Sequence, residues 1–311
     1  MNSAASPLVI EAAGLRFQNP VLLASGTAAY GRELAGVMDL DALGGLVTKA
    51  VSVEPRSGAP APRVAEWAGG MVNAIGLANP GVDRVRAEEL PWLAANVSGP
   101  RVLVNVVGRE VDDFPLVVAA LDGEAGLDAF ELNVSCPNVK AGGLEFGADE
   151  RSLRAVVSGC RAATRRPLFV KLSPSLGDIA AAARVAVDAG ADGITLVNTL
   201  PGLVVDIEAR RPALGFGSGG VSGRELLPVG VLATAKVRKA VGVPLIGVGG
   251  VSSAADALQY MIAGASLVGI GTAALRDPRL PKRIVRDLGR WCDQHDVASI
   301  SEIVGTLEWT A

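Results

Sequence analysis

The sequence predicts an α/β fold, a (β/α)8 TIM barrel with a short N-terminal β-hairpin and long loops on its catalytic face. Short β-rich runs alternate with helix-like segments from residue 21 to residue 272, close to the ~250 residues typical of such barrels. Hydrophobic residues make up 50% of the 311-residue chain, and 38 glycines suit helices packed closely on a sheet. A doubly wound open sheet is the alternative. The eight candidate strands are Val21–Ala24, Leu46–Thr48, Val102–Val106, Ala129–Val134, Leu168–Leu172, Gly193–Val197, Leu245–Val248 and Leu267–Ile270.

Local signals predict the elements around these strands. Leu8–Ile10 and Leu15–Phe17 predict the N-terminal hairpin. Ser253 is a candidate N-cap of a helix that ends at Gly264. We expect one domain over residues 1–311, because no linker or low-complexity tract interrupts the alternation. Three connections exceed ordinary loop lengths, and in a barrel all three lie on the catalytic face: Val51–Asn79, Pro137–Asp149 and Pro201–Gly223.

Composition excludes several classes of function. The net charge is −3 without any Lys/Arg block, so nucleic acid and anionic membrane are not expected partners. Neither a signal peptide nor a membrane span is recognisable, and we expect a cytoplasmic protein. The three cysteines, Cys136, Cys160 and Cys292, lack the spacing of a disulfide framework or of a metal or iron–sulfur site. Redox chemistry would therefore need a separate carrier.

Each predicted strand is followed by a polar residue or a glycine, where barrel enzymes place their active sites. The paired glycines after the last two strands predict a phosphate site built from backbone N–H groups, and ordinary turn chemistry is the alternative. The Gly215–Gly223 loop could close over the same ligand. In chain order the strand-end residues are Ser25, Gly26 and Thr27; Lys49; Asn105; Asn133 and Cys136; Lys171; Asn198 and Thr199; Gly249 and Gly250; and Gly271 and Thr272.

The lysines and asparagines in this set predict a bound polar molecule. Lys49 and Lys171 each end an apolar strand, where an ammonium group is costly unless it meets an anion or a polarised ring. An ion pair with Glu131 is a compatible, structural interpretation for Lys171. Four amides that converge on one mouth suit an imide-like heterocycle: Asn73, Asn105, Asn133 and Asn198. Backbone N–H groups in the Asn73–Leu77 loop could hold a carboxylate.

Cys136 is the candidate catalytic base. It lies where the apolar strand Ala129–Val134 gives way to a Ser-Cys-Pro-Asn loop. The sole histidine, His295, is far from every predicted strand end, so the base must be Cys136, a lysine or a carboxylate. Cys160 and Cys292 are expected to be packing thiols, and an inert core thiol is also the alternative for Cys136.

In these residues the chain resembles the class 1 dihydroorotate dehydrogenases, and within them the catalytic subunit of class 1B. The resemblance covers nearly the whole chain and includes two glycine motifs after the last two strands. The other matching segments are Ala24–Thr27, Thr48-Lys49, Glu54–Arg56, Pro62–Val64, Asn73–Gly81, Asn133–Lys140, Val170–Pro174, Val197–Leu200 and Gly220–Gly223. Residues 50–52 and 215–217 depart from the family pattern, which puts only local loop shape in doubt.

The resemblance implies one FMN per chain and a pyrimidine substrate. The implied substrate contacts are Lys49, Asn73, Ala74, Ile75, Gly76, Leu77, Asn133, Asn198 and Thr199. The implied FMN contacts are Ser25, Lys49, Ala50, Asn105, Asn133, Lys171, Val197, Gly223, Gly249, Gly250, Gly271 and Thr272.

The resemblance also implies the reaction and its partners. Cys136 would remove the C5 proton of (S)-dihydroorotate while a hydride passes from C6 to FMN, giving orotate in pyrimidine biosynthesis. The glycines near residue 142 would let the loop open and close. A homodimer core would join a second subunit carrying FAD and a 2Fe-2S cluster into a heterotetramer that reduces NAD⁺. A class 1A enzyme using fumarate and a related dihydropyrimidine-type flavin oxidoreductase are the alternatives, and a phosphate-binding aldolase or isomerase barrel is the non-redox one.

Overall fold

Eight parallel strands close into a barrel in the computed structural model, which describes residues 6–135, 137–138 and 144–309. The last strand pairs with the first, with Val268 opposite Val21. This closure confirms the predicted fold class and rules out the open sheet. The strands, numbered β1 to β8 in chain order, are Val21–Leu23, Gly45–Val47, Arg101–Val106, Ala129–Asn133, Leu168–Leu172, Gly193–Leu196, Leu245–Val248 and Leu267–Ile270.

Helices cover the outside of the barrel, so the strands are buried on both faces. Every residue of β5 is buried, and the same holds for β6, β7 and β8, as expected for parallel strands between helices. None of the helices in the described residues is long and apolar enough to cross a membrane. The α-helices are Val82–Arg84, Leu90–Asn96, Asp113–Leu121, Glu150–Ala163, Ile179–Asp188, Leu227–Arg238, Ala254–Ala263, Thr272–Arg276 and Leu280–Gln294. A π-helical segment, Val85–Glu89, joins the first two, and 3-10 turns occupy Leu40–Ala42, Phe146–Ala148, Arg224–Leu226 and Ile300–Ile303.

The N-terminal hairpin is present as predicted, but its first strand begins two residues later than predicted. Ile10–Ala12 pairs antiparallel with Leu15–Phe17. Ala13 and Gly14 both adopt positive φ (50° and 75°), the geometry of a tight two-residue turn. Because that turn sets the register, the first strand ends at Ala12 and not at Ile10. Phe17 is fully buried and lies beside Gly45 at the start of β2.

A second sheet stands over the C-terminal end of the barrel. Its four antiparallel strands come from two of the long connections. In spatial order the strands are Leu200–Gly202, Gly219–Ser222, Gly70–Asn73 and Val64–Trp67. The Pro201–Gly223 insertion also holds a hairpin of Val205–Asp206 and Arg211–Pro212, while Pro137–Asn138 pairs with Leu144–Glu145 after β4. The connections that the sequence predicted only as long loops therefore contain regular structure.

Tyr260 links the helix Ala254–Ala263 to the end of β7. The helix begins and ends as predicted, with Asp256 N donating to Ser253 Oγ at 3.2 Å and Gly264 at φ 124°. The buried Tyr260 hydroxyl lies 3.0 Å from Val248 O and 2.8 Å from Gly249 O, to which it donates. Burial raises the pKa of Tyr260 above its ordinary value, which keeps the hydroxyl protonated as a donor. Gly247 leaves the space that the ring fills.

We predict that Gly247→Ala destabilises the fold by about 1–3 kcal/mol. A Cβ atom at this position would overlap the Tyr260 ring, which is itself fixed by the two carbonyl contacts. The free energy of unfolding in urea is the measurement. Gly123→Ala is the matched control, because a Cβ atom there meets nothing within 4 Å. Equal unfolding free energies for the two variants would contradict this account of the packing.

Candidate functional site at the C-terminal end of the barrel

The ends of the first three strands are tied together by hydroxyl groups. Ser25 Oγ donates to Thr48 O at 2.8 Å, and Asn105 N donates to Thr48 Oγ1 at 3.2 Å. Lys49, which follows this threonine, is partly exposed, and the next residue, Ala50, is buried. Parallel pairing within the barrel thus brings the predicted residues Ser25, Lys49, Ala50 and Asn105 to one side of the mouth.

A layer of buried polar side chains lines the wall from β3 to β6. Asn105 lies opposite Glu131 in the sheet, and its Nδ2 donates to Glu131 Oε1 at 2.7 Å. The Lys171 ammonium lies 4.0 Å from the same oxygen, and Lys171 faces Thr195 on the neighbouring strand. Glu131 and Lys171 are only 1% and 6% exposed. The predicted ion pair is therefore present inside the barrel.

Two polar atoms of this layer have no hydrogen-bond partner. Asn105 Oδ1 and Thr195 Oγ1 are both buried and unpaired. Buried polar atoms are nearly always hydrogen-bonded, because an unpaired one costs about 1–3 kcal/mol. The unpaired atoms mark positions where a polar molecule in the mouth would complete the network.

The second pair of amides lies at the ends of β4 and β6. Asn198 Nδ2 donates to Asn133 Oδ1 at 3.3 Å, and Asn198 Oδ1 accepts from Thr199 N at 2.9 Å. These bonds orient both amides, since each oxygen is already assigned an N–H donor. The predicted residues Asn133, Asn198 and Thr199 are thus brought together, and Val197 N is tied to Val248 O at 2.9 Å.

The second sheet carries the predicted substrate loop to the same mouth. Asn73 Nδ2 donates to Gly220 O at 3.3 Å, and Gly220 lies against the side chain of Thr199. Ala74 N donates to Arg63 O at 2.8 Å, and Ile75 O accepts from Ala59 N at 3.1 Å. The next two residues, Gly76 and Leu77, have φ values of 69° and 57°. Residues 73–77 therefore form a turn held against residues 59–63.

The glycines of the predicted phosphate site also lie together. Gly249 and Gly250 have φ values of 122° and 76°, and they pack against Leu226 and Leu227, just after Gly223. Thr272 Oγ1 donates to Ser222 Oγ at 2.8 Å, which joins the end of β8 to the second sheet. A Cβ atom placed on Gly271 would lie 3.8 Å from its nearest neighbour, Thr27 Oγ1. The backbone at Gly271 is therefore accessible. The sequence did not indicate Ser222.

The candidate base Cys136 lies outside the described residues, as do residues 139–143. The two other thiols behave as predicted. Cys160 and Cys292 are buried in helices; burial raises the pKa of the Cys160 thiol to about 12, and burial with Asp293 and Glu302 nearby raises that of Cys292. Neither thiol is suited to act as a base at neutral pH.

Glu145 is a further carboxyl group beside the strand-end loop that sequence reasoning missed. It pairs with Pro137 in the short sheet after β4, and Ser173 Oγ donates to its Oε1 at 3.2 Å. Its other oxygen and Ser135 Oγ are buried without a hydrogen-bond partner. Burial raises the pKa of the Glu145 carboxyl, and the Ser173 hydrogen bond offsets only part of that shift. No periodicity or motif distinguishes this residue in the sequence.

The fold and these groups together define a parallel barrel of the enzyme type, with polar side chains and glycine backbone gathered at its C-terminal face. The sequence model of the family described as dihydroorotate dehydrogenase matches residues 8–291. The chain belongs to the dihydroorotate dehydrogenase family.

Individual relatives agree with this assignment. The chain is 44% identical to the catalytic subunit of dihydroorotate dehydrogenase B (NAD⁺) of Pelobacter propionicus, over 97% of this chain and 98% of the relative. It is 45% identical to a Solibacter usitatus protein provisionally named dihydroorotate dehydrogenase A (fumarate), over 95% and 97%. The crystal structure of dihydroorotate dehydrogenase from Eimeria tenella in complex with ferulenol is similar in fold, with a TM-score of 0.83, 23% identity, and coverage of 98% of this chain and 90% of that one.

We predict that Glu145→Gln stabilises the fold increasingly as the pH rises above about 4.5, the ordinary pKa of this carboxyl. In the folded chain the raised pKa favours the protonated acid. That stabilisation is fully present below the unfolded pKa and is lost as the pH rises through the folded pKa. Glutamine mimics the neutral acid at every pH. Urea unfolding at several pH values is the measurement, with Glu208→Gln, an exposed position, as the control. A difference from wild type that does not change with pH would contradict this account.

Proposed function

We propose that this chain oxidises (S)-dihydroorotate to orotate in pyrimidine biosynthesis, using bound FMN as its electron carrier. The observation that carries the proposal is the set of amides at the barrel mouth, Asn105, Asn133 and Asn198, on the wall from β3 to β6 that also carries the Lys171 ammonium, which suits imide-like rings. Membership of the dihydroorotate dehydrogenase family supports the same reaction. A phosphate-binding aldolase or isomerase would leave this polar layer without a role.

The residues present fit FMN. The unpaired Asn105 Oδ1 and Thr195 Oγ1 suit the polar edge of a ring, and the accessible backbone at Gly271 suits a phosphate. When bound, FMN would take up the hydride that leaves C6 of the substrate. The proposed contacts are Ser25, Lys49, Ala50, Asn105, Asn133, Lys171, Val197, Gly223, Gly249, Gly250, Gly271 and Thr272.

Lys49 and the amides would hold the substrate. The Lys49 ammonium attracts a carboxylate, and the hydrogen bond from Asn198 to Asn133 leaves Asn133 Nδ2 free to donate to a ring oxygen. The turn over residues 73–77 would place backbone groups on the other side of the same ring. The proposed contacts are Lys49, Asn73, Ala74, Ile75, Gly76, Leu77, Asn133, Asn198 and Thr199.

Cys136 is the proposed base. Its thiolate would take the C5 proton as the hydride leaves C6, so that the C5–C6 double bond of orotate forms and the thiol is left protonated. Because a thiol has an ordinary pKa of about 8.5, the thiolate is a minor species at neutral pH. The rate should then rise with pH through that range. The raised pKa values of Cys160 and Cys292 leave Cys136 as the available thiol.

We predict that Cys136→Ser lowers orotate formation at neutral pH by at least about 100-fold, as expected when a general base is lost. A serine hydroxyl is far less acidic than a thiol, so its activity should recover only at high pH. The rate of orotate formation in a single turnover of the FMN-loaded chain, with its flavin as the oxidant, is the measurement, and the FMN content of the variant is the control. Full activity of a flavin-loaded Cys136→Ser variant at neutral pH would rule out this role.

The names of the B-class relatives support a proposal about partners. They are called catalytic subunits of an NAD⁺ enzyme, which implies a separate subunit for electron transfer. We propose a cytoplasmic heterotetramer in which a homodimer of this chain joins a subunit that carries FAD and a 2Fe-2S cluster. The Solibacter relative keeps the fumarate-linked class as the alternative.

We predict that the FMN-loaded chain alone uses neither fumarate nor NAD⁺ as an oxidant, and that adding the iron–sulfur subunit enables NAD⁺ reduction by dihydroorotate. The reason is that the B-class relatives are named as catalytic subunits of an NAD⁺ enzyme, so we expect electrons to reach a nicotinamide only through the carriers of the partner subunit. NADH absorbance and fumarate consumption are the measurements. Rapid fumarate reduction by the chain alone would support the A class instead.

A further inference from the structure

Glu131 is a buried carboxylate for which the proposed reaction provides no chemical role. It is 1% exposed on β4 and faces the interior of the barrel between β3 and β5. Its Oε1 accepts from Asn105 Nδ2 at 2.7 Å and lies 4.0 Å from Lys171 Nζ. Burying a carboxylate is costly, so a position of this kind calls for a physical explanation.

Glu131 lies close enough to Lys171 to offset part of the charge that the ammonium presents to the barrel mouth. The two side chains are opposite charges in one buried layer, where electrostatic interactions are screened far less than in water. An ammonium beside an electron-accepting ring favours the reduced ring, because reduction adds negative charge. A carboxylate held against that ammonium offsets part of this effect.

We propose that Glu131 is a positioning residue that fixes the Lys171 ammonium and lowers the reduction potential of the flavin bound beside it. This inference rests on the proposed function. Asn105 contributes by holding the carboxylate in place, while its own Oδ1 is buried without a hydrogen-bond partner. The layer Asn105, Glu131 and Lys171 would thus act as one unit, in which the carboxylate influences the flavin through the lysine.

Glu131→Gln tests this proposal with little change of shape. Glutamine keeps an oxygen that can accept from Asn105 Nδ2 and removes the charge, with an NH2 group in place of the second oxygen. The expected result is an upward shift of the midpoint potential of bound FMN, equivalent to about a tenfold change in the equilibrium between oxidised and reduced flavin, or about 30 mV for a two-electron couple. Glu150→Gln, which removes a carboxylate from an exposed helix position, should leave the potential unchanged.

A second comparison applies if Glu131→Gln does not fold with its lysine unpaired. The doubly neutral Glu131→Gln/Lys171→Met variant must then show the same midpoint potential as Lys171→Met alone, because the carboxylate acts on the flavin only through the lysine.

Three outcomes are informative. An unchanged potential in flavin-loaded Glu131→Gln overturns the inference, even if FMN affinity falls, because weaker binding alone would mean a purely structural role. A difference in potential between the two variants of the second comparison overturns it as well, because the carboxylate would then act without the lysine. Failure of the wild-type chain to bind FMN overturns the proposed function itself, and is recognised before any variant is measured.

Discussion

Closure of the parallel sheet is the constraint on which the rest of the structure depends. Because β8 pairs with β1, all eight strands end on one rim, and the residues that follow them must face a common space. An open sheet with the same strands would spread those residues along an edge. The ties from Ser25 to Thr48 and from Thr272 to Ser222 show how closely the rim is joined.

The interior of this rim combines two requirements that oppose each other, an apolar wall for packing and charged groups within that wall. The barrel wall is apolar, and Glu131 and Lys171 are placed within it as a buried ion pair. Such pairs seldom stabilise a fold more than well-packed apolar residues of the same volume would. Their cost is understandable if the charges serve a bound molecule, and the unpaired atoms of Asn105 and Thr195 agree with that view. The polar layer therefore belongs to the site as much as to the core.

Much of the fold could be predicted from the sequence because apolar β-rich runs are local signals. Residues 168–172, 245–248 and 267–270 were predicted with the observed boundaries. The second strand was predicted one residue late, because pairing with Leu22 and Arg101 extends it back to Gly45. The convergence of Asn133 and Asn198 followed from barrel topology alone.

The sheet over the mouth could not be predicted in the same way. Its strands are short and rich in glycine, and they pair residues as distant as Asn73 and Gly220, which are 147 positions apart. Glu145 and Ser222 were missed for the same reason, since their partners are brought to them only by the folded chain. Cys136 lies outside the described residues, and its role stays a prediction.

Anaerobic titration of the FMN-loaded chain with dihydroorotate tests the central claim most directly. The account predicts that the visible absorbance of the flavin bleaches, with about one orotate formed per flavin reduced. A chain that stays colourless after reconstitution with FMN, or a bound flavin that keeps its absorbance in excess dihydroorotate, would contradict it.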